Sequence, residues 1–377
     1  MAKPQRFLPA QAYTDPRVHR WDCSGYAHRY WHPLTAGSAL PAGHSLALTL
    51  LNQPLLLTRA DDGTPQAFLN RCPHRGVAFQ HETDGAIACS RLICPYHGWT
   101  YSLRGELLAA AREQGFDPPF QRRDWPLPSL PCREDGPLIW VALTQAVTPL
   151  EQQLDLVHQR VADLWTQPLH QVRIVQRTLH CNWKIAHDNT LDDYHVAVAH
   201  PTTLHREQGP VRDYVHHATG LVNLLVTPHA DGGCFHTFGL PPWLHLITWP
   251  DGRLALLEFL PLSLDSCCMQ LRLFAPTSDG GGTCPNAADN LWLQELLAFL
   301  DEDQALVESA QRGYCSGLVP GPVHALEQRI VHWQEIYRRD LPDALAQSLT
   351  LQDQGPMGAV QQPGGEPTLL DCADCTP

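Results

Sequence analysis

The sequence predicts an α+β protein in which a small all-β domain precedes a larger domain of antiparallel sheet and helices. The first observation is a series of short alternating strands from about residue 30 to residue 143, separated by turn residues such as Asp61-Asp62-Gly63. The second is that helical apolar spacing follows at residues 150–165, 287–312 and about 323–345, with further strands between these segments. With 377 residues, the chain is long enough for two such domains.

Composition excludes several classes of partner. The formal net charge of −13 argues against nucleic acid and anionic membranes as binding partners. No stretch approaches the roughly 18 apolar residues that a membrane span needs, and the first ten residues have no apolar signal region. The 13 cysteines are an odd number spread over a long chain, which is unlike a disulfide framework. We therefore expect a reducing, cytoplasmic location.

The strands of the first domain are short and bounded by turn signals. Asn52-Gln53-Pro54 and Arg104-Gly105 mark two of these turns. The predicted strands cover residues 45–50, 55–59, 66–70, 86–89, 91–93, 100–103, 106–109 and 138–143.

Two loops at one end of this domain each offer one cysteine and one histidine. Residues 71–76 read R-C-P-H-R-G and residues 94–99 read C-P-Y-H-G-W, so Cys72 accompanies His74 and Cys94 accompanies His97. Two thiolates and two imidazoles suit either a tetrahedral zinc ion or a [2Fe–2S] cluster. Zinc fingers usually pair Cys with Cys and His with His. Because each loop here supplies one of each, both loops can reach both irons, and the pattern favours the cluster.

The second domain is predicted to begin with a helix at residues 150–165 and a strand at 170–179. A helix over residues 182–195 comes next, and further strands at 244–249, 254–260 and 268–274 indicate an antiparallel sheet. The segment from about residue 349 is rich in Gln, Gly and Pro, which predicts a disordered tail. Its Cys372 and Cys375 form a C-x-x-C pair that is either a redox handle or two inert thiols.

The helix over residues 182–195 carries candidate metal ligands at its end. His195 and His200 are five residues apart, which would place them about 140° apart around an uninterrupted helix. Pro201 disfavours the helical conformation at His200, so the chain can turn His200 back towards His195.

With both motifs present, the chain resembles the α subunits of Rieske-type non-haem iron oxygenases over about residues 20–346. The family pattern Asn-x-x-Asp-x-x-His-x-x-x-x-His is matched by Asn189, Asp192, His195 and His200, and the preceding Asn182-Trp183-Lys184 is also common in the family. The resemblance implies a Rieske [2Fe–2S] domain at residues 28–146. It also implies a helix-grip-like catalytic domain, with mononuclear Fe(II), made from residues 1–27 and 147–348.

The third iron ligand must be a carboxylate from elsewhere, because such sites combine two histidines with one acid. Residues 301–303 offer three acids. Helical spacing places Asp303 within an apolar stripe and Asp301 on the opposite side, and a buried acid needs a cation. The stripe consists of Phe299, Leu300, Leu306, Val307 and Ala310. The family pattern Glu-Asp-x-x-x-x-Glu-x-x-Gln independently matches Glu302, Asp303, Glu308 and Gln311. Asp303 is therefore the expected ligand.

The resemblance also assigns roles around the iron. Asn189 and Asp192 would belong to the catalytic apparatus, and Asp192 would link His195 to His97 of a neighbouring subunit in a homotrimer. The neighbouring Asp193 fits a surface acid of the helix. No G-x-G-x-x-G motif follows a predicted strand, so electrons must come from a separate NAD(P)H-dependent reductase, a ferredoxin, or both.

These features predict an enzyme that uses O₂ and external electrons to hydroxylate or oxidatively dealkylate a small organic substrate. Aromatic residues of the second domain could line the substrate pocket or fill the core: Phe235, Phe238, Trp243, Trp249 and Phe259. An aromatic cage for a quaternary ammonium group does not rank above an aromatic or alicyclic substrate. The alternatives are a Rieske electron carrier whose second domain only binds a partner, and a zinc-stapled binding module.

Overall fold

Two short helices open the part of the chain that the structure describes. The structure is a computed structural model, and it describes residues 6–230, 232–277 and 287–352. Helices α1 (Gln11–Thr14) and α2 (Pro16–Trp21) are followed by a π turn, Asp22–Tyr26. Their buried side chains, including Tyr13 and Tyr26, join the same apolar core as Trp183 and Tyr337 from the second half of the chain.

The region from residue 31 to residue 142 is all β, as predicted. It forms three antiparallel sheets, with strand orders β1-β11-β10, β5-β2-β3-β4-β9 and β6-β7-β8. The strands are β1 (Trp31–Ala36), β2 (His44–Leu50), β3 (Gln53–Arg59), β4 (Pro65–Leu69), β5 (Ala86–Ala88), β6 (Leu92–Ile93), β7 (Thr100–Tyr101), β8 (Leu107–Ala109), β9 (Ser129–Leu130), β10 (Cys132–Asp135) and β11 (Leu138–Ala142).

The helix predicted over residues 150–165 is three short helices: α3 (Leu150–Gln153), α4 (Asp155–Arg160) and α5 (Ala162–Thr166). The breaks fall at Leu154 and Val161, whose backbone angles leave the helical region. Both side chains are buried in the core. The chain therefore bends twice while keeping the apolar face that the spacing predicted.

A seven-stranded antiparallel sheet forms the centre of the second half of the chain, in the order β12-β18-β17-β16-β15-β14-β13. Its side chains alternate between two cores, so that Phe235 and Leu257 lie on one face while Phe238 and Leu256 lie on the other. The strands are β12 (Leu169–Leu179), β13 (Val215–Ala218), β14 (Asn223–Pro228), β15 (Cys234–Leu240), β16 (Leu244–Thr248), β17 (Leu254–Ser263) and β18 (Ser266–Pro276).

The helices on the Phe235 face carry the candidate ligands. They are α6 (Trp183–Leu191), α7 (Val196–Ala199), α8 (Leu204–Gln208), α9 (Ala287–Cys315), α10 (Gln328–Asp340) and α11 (Asp343–Gln352). Helix α6 ends at Leu191, four residues before the predicted end at residue 195, because Asp192 adopts an extended conformation. His195 and His200 therefore flank the separate helix α7 and do not continue α6.

Helix α9 agrees with the prediction for residues 287–312 and continues to Cys315. The apolar stripe predicted for this helix is wrong at one position, because Leu306 is exposed. Helix α11 extends to Gln352, so the first residues of the predicted tail are helical. Cys372 and Cys375 lie outside the described residues. Within the described residues, no helix combines the length and the apolar character that a membrane crossing requires.

Candidate metal centres

The two Cys/His loops of the β domain have the same backbone hydrogen bonding. The Cys72 amide donates to the Val77 carbonyl and the Cys94 amide to the Trp99 carbonyl, both at 2.8 Å. Gly76 and Gly98 each donate an amide hydrogen bond to the carbonyl of the cysteine in their own loop. Both glycines have positive φ, +76° and +67°, which residues with a Cβ rarely adopt. The repeated turn presents one cysteine and one histidine from each loop to the same point.

The two cysteines and the two histidines differ in burial. Cys72 and Cys94 are buried, whereas the two imidazoles lie outside them and His97 is exposed. His74 Nδ1 and His97 Nδ1 are 3.1 Å apart, so both nitrogens point to one position. Burial raises the pKa of the Cys72 thiol, and the neighbouring Cys94 raises it further. Two buried thiols and two convergent outer imidazoles fit a [2Fe–2S] cluster with cysteine on the inner iron and histidine on the outer iron.

A second group of convergent ligands lies on the helical side of the large sheet. His195 Nε2 and His200 Nε2 are 3.1 Å apart, and Asp303 Oδ1 lies 3.4 Å from the first and 3.0 Å from the second. His200 is fully buried. Of the described residues, these three alone form a His, Cys, Asp or Glu group whose ligand atoms lie within 4.8 Å of one another.

The separations distinguish between coordination geometries. Three ligands on one face of an octahedron, about 2.1 Å from the metal, lie about 3.0 Å apart, whereas tetrahedral ligands lie about 3.4 Å apart. Two of the three observed separations, 3.0 and 3.1 Å, match the octahedral face. The residues thus fit a facial two-histidine, one-carboxylate iron site with open positions opposite the protein. Their assignment as ligands stays a prediction.

The end of α6 brings the two histidines together. Asp192 is extended, and its Oδ1 accepts a hydrogen bond from the Tyr194 amide at 2.8 Å, a local turn that competes with helix continuation. His195 then begins α7, and His200 ends it with φ −121°. Because Pro201 follows, the chain leaves the helix there, as the sequence predicted.

Helix α9 is fixed to the segment before α6 by side chains of the acidic family pattern. Glu308 Oε1 accepts a hydrogen bond from the His180 amide at 3.1 Å, and Gln311 Oε1 accepts one from the Asn182 amide at 2.6 Å. Asn182 also caps α6 by accepting a hydrogen bond from the Lys184 amide. These contacts place Asp303 beside the two histidines.

Each candidate ligand has an outer partner. Asp192 Oδ2 is 3.5 Å from His195 Nδ1, and Asn189 Nδ2 donates to Asp303 Oδ1 at 3.2 Å. Glu302 Oε2 lies 2.6 Å from His200 Nδ1. The sequence predicted the first two residues near the iron but gave Glu302 no function. Asp301 lies on the other side of α9, as predicted, where it pairs with Arg177 at 2.5 Å.

The electrostatics of the site favour a cation. Burial alone would lower the pKa of His195, but hydrogen bonds to Asp192 and Asp303 raise it to about 10. Burial opposes ionisation of Asp303, yet the two imidazoles hold its pKa below the ordinary value. Three carboxylates therefore surround two histidines, and a divalent ion would replace the protons that these histidines otherwise carry.

Two cavities near this site share one lining residue, Phe299. The inner pocket holds about 530 Å³ of atom-free space, and its lining includes all three candidate ligands. Most of its other lining is apolar, including Val196, Leu225, Phe235, Ile247, Leu257 and Phe299. An outer cavity, with about 1150 Å³ of atom-free space that is partly open to solvent, shares Phe299 and adds Trp249, Trp292, Arg206 and Arg253. Among the candidate aromatics, Phe235 lines the inner pocket, Trp249 lines the outer cavity, and Phe238 and Trp243 are buried in the core.

A third pocket, with about 620 Å³ of atom-free space that is partly open to solvent, also borders the site. Asp192 lines both this cavity and the inner pocket, and Asn189 and Glu327 line it as well. Asp193, interpreted from sequence as a surface acid, is instead buried and pairs with Arg329 and His216. Residues 136 positions apart in the chain form the Asp193–Arg329 pair, so local periodicity gave no signal for it.

Comparison with known families agrees with the two-part organisation. Residues 30–122 match the model of the Rieske [2Fe–2S] domain, and residues 157–233 match the model of the ring-hydroxylating alpha subunit catalytic domain. These matches confirm the predicted α+β fold class, an N-terminal Rieske domain before a catalytic domain, and the predicted [2Fe–2S] and mononuclear iron cofactors. The domain limits at residues 27/28, 146/147 and 348/349 stay predictions.

Several curated proteins are similar in sequence. The glycine betaine monooxygenase oxygenase subunit of Pseudomonas aeruginosa strain UCBPP-PA14 is 31% identical over 205 residues, which cover 52% of this chain and 45% of that protein. The carnitine monooxygenase oxygenase subunit of Escherichia coli strain K12 is 25% identical over 322 residues, covering 81% and 83%. The match thus spans about half the length of the first relative.

Solved structures share the fold. A quaternary ammonium Rieske monooxygenase bound to gamma-butyrobetaine superposes with a TM-score of 0.76 at 21% identity, covering 89% of this chain and 95% of that chain. Naphthalene 1,2-dioxygenase from Rhodococcus sp. gives a TM-score of 0.69 at 18% identity, covering 93% and 95%.

Proposed function

Because this chain belongs to the α subunits of Rieske-type non-haem iron oxygenases, we propose that it hydroxylates or oxidatively dealkylates a small organic substrate at a mononuclear iron. One observation carries the proposal. His195 Nε2, His200 Nε2 and Asp303 Oδ1 converge at a pocket whose remaining wall is mostly apolar. A carrier of electrons needs neither the second ligand group nor the pocket.

Cys72, His74, Cys94 and His97 would hold the cluster, and His195, His200 and Asp303 would hold the iron. When bound, iron supplies reductive O₂ activation: one oxygen atom enters a C–H bond, and the other leaves as water with two protons and two electrons. The apolar walls exclude water and hold the substrate beside the ligand face. Asp192 lies within ion-pair distance of the outer nitrogen of His195, and Asn189 restrains Asp303 by a hydrogen bond.

The two cavities that meet at Asp192 support separate routes for substrate and electrons. The inner pocket would take the substrate, whereas the cavity lined by Asn189, Asp192 and Glu327 would face a neighbouring subunit. Asp192 would then connect His195 to His97 of that neighbour in a homotrimer. A separate NAD(P)H-dependent reductase, with or without a ferredoxin, would supply the electrons, and the protein would work in the cytoplasm.

For the substrate, two classes are supported by different observations. Among the described residues, two side chains of the Phe, Tyr or Trp type line the inner pocket, Phe235 and Phe299, which fits a neutral apolar or alicyclic group. The similarity to glycine betaine and carnitine monooxygenase subunits favours a quaternary ammonium compound as the second candidate. A cation of that kind would rely on the two phenyl faces and on Asp303 or Asp192.

Iron content and O₂ uptake test the proposal. The purified protein should contain about three iron atoms per chain, whereas an electron carrier would contain about two and a zinc module none. O₂ uptake with a surrogate reductase should rise on adding substrate. Each quaternary ammonium compound should be compared with the neutral analogue in which carbon replaces nitrogen. Preference for the neutral analogue supports the first class, and preference for the cation supports the second. The absence of a third iron would refute the oxygenase proposal.

A further inference from the structure

The outer side of His200 is held by a carboxylate to which the sequence gave no function. We propose that Glu302 is a positioning residue for the metal centre: it fixes the ring of His200 so that Nε2 faces the metal, and Thr203 fixes Glu302. The inference rests on the proposed function only in requiring that His195, His200 and Asp303 bind a divalent metal ion.

The geometry of the three side chains is specific. Glu302 Oε2 lies 2.6 Å from His200 Nδ1, and the same oxygen accepts a hydrogen bond from Thr203 Oγ1 at 2.7 Å. His200 has no exposed surface, whereas the Glu302 side chain is 35% exposed, so this carboxylate separates Nδ1 of the ring from solvent. An ionised carboxylate can only accept, and His200 must therefore carry its proton on Nδ1. The lone pair of the neutral ring is then on Nε2, the atom that points to His195 and Asp303.

Helix α9 supplies both acids that contact this imidazole. Asp303 Oδ1 approaches His200 Nε2 at 3.0 Å, while the preceding residue, Glu302, approaches the opposite nitrogen. Helix α9 thus supplies one candidate ligand, Asp303, and orients a second one, His200. Asp301, the next acid towards the N-terminus, faces away and pairs with Arg177. It provides a matched control because it has the same charge on the same helical turn without the contact.

The contact between His195 and Asp192 is looser. Its closest separation is 3.5 Å, against 2.6 Å for His200 and Glu302. Because hydrogen bonds weaken as the separation grows beyond about 3.2 Å, His200 is the more firmly oriented of the two rings. Outer partners of histidine ligands set the tautomer and the basicity of the ring, and their loss typically weakens metal binding about 10–100-fold. We therefore expect the binding affinity to depend on Glu302.

Metal titration tests this inference without turnover. The mononuclear metal is removed by chelation from the full-length protein, and Fe(II) or Co(II) is titrated back against a competing chelator. E302A should bind about 10–100-fold more weakly than the unchanged protein. E302Q keeps an acceptor for Nδ1–H and should recover most of that loss, whereas D301N should bind like the unchanged protein. Rescue by E302Q distinguishes positioning of the ring from a general role in folding.

The cluster provides an internal check on folding. Its visible spectrum should be the same in all variants, because the ligands Cys72, His74, Cys94 and His97 are remote in sequence and untouched. Should E302A not fold, T203V tests the same connection and should weaken metal binding about threefold, a smaller effect because only the support of Glu302 is lost. An affinity within twofold of the unchanged protein in E302A, or in T203V where E302A does not fold, would overturn the inference. Failure of the unchanged protein to bind metal would instead refute the proposed function.

Discussion

Arg329 Nη1 lies 3.1 Å from Asp193 Oδ1, and both side chains are buried immediately beside the candidate iron ligands. Arg329 also donates hydrogen bonds to Asn223 Oδ1 and to the Thr237 carbonyl, both at 3.0 Å. His216 Nε2 contacts the other oxygen of Asp193 at 2.8 Å. The segment between α6 and α7 is thereby tied to helix α10 and to the sheet, which keeps His195 in place.

Replacing Arg329 with Met should destabilise the protein by about 3–5 kcal/mol, because Asp193 would remain buried with a charge that only His216 could offset. Urea unfolding measures the change. Arg339 on the same helix is a control, since its side chain is 60% exposed and lies 3.7 Å from Asp340. R339M should change the free energy of unfolding by less than about 1 kcal/mol. Equal effects of the two substitutions would contradict the structural role of the buried pair.

His200→Ala should remove the third iron and abolish turnover while leaving the visible spectrum of the cluster unchanged. The reason is that His200 approaches Asp303 and His195 but is separate from the Cys/His loops. Iron analysis and product formation measure the two effects. His217, a half-buried residue of β13, provides a control, and H217A should keep both iron and turnover. Normal product formation by H200A would refute the ligand assignment.

Asp192→Asn should slow electron transfer between the two centres with both metals in place. Asn keeps the size of the side chain but lacks the charge that holds His195 Nδ1 and that would reach the neighbouring subunit. The rate of cluster oxidation in a single turnover measures the effect. Asp213, which is 48% exposed, is the control, and D213N should oxidise its cluster at the normal rate. A normal rate in D192N would show that Asp192 is not on the route.

The sequence predicted those features that depend on local pattern. The Cys/His loops are short motifs whose turns are set by Gly76 and Gly98, and the position of Asp303 follows from helical spacing within α9. The place of Asp192 near His195 was expected from the family resemblance and does not follow from helical spacing. The residue contacts His195 because the chain leaves α6 at Leu191.

Local pattern could not predict the pairings between distant segments of the chain. Glu302 and His200 are 102 residues apart, and Arg329 and Asp193 are 136 apart. An acid on a helix or loop looks the same in sequence whether it meets water or a buried partner. Only the packing of α9 and α10 against the α6–α7 segment decides whether such an acid meets water or a buried partner. For this reason Asp193 was misinterpreted and Glu302 received no function.

Two adjacent residues of α6, the buried His187 and the half-buried Asp188, should shift stability with pH in opposite directions. Burial lowers the pKa of His187 to about 3, so this side chain stays neutral in the folded protein. Below about pH 6.5 the unfolded chain gains a proton that the folded protein does not, and stability falls with falling pH by about 1.4 kcal/mol per unit. Burial raises the pKa of Asp188 to about 7. Between about pH 7 and 4 the folded protein holds a proton that the unfolded chain has released, so stability rises with falling pH by a similar amount.

Asp188→Asn should therefore make the protein more sensitive to acid. Asp188 contacts Tyr13, Trp333 and Gln334, and the variant should also be less stable at every pH because Asn cannot satisfy all three donors. The diagnostic quantity is the slope. Between pH 6.5 and 5, the free energy of unfolding of D188N should fall more steeply than that of the unchanged protein, by about 1.4 kcal/mol per pH unit, since the opposing contribution has been removed. Urea unfolding at several pH values measures both slopes. Parallel slopes would mean that Asp188 is ionised in the folded protein throughout this range, and that Tyr13, Trp333 and Gln334 together stabilise its charge more than burial opposes it.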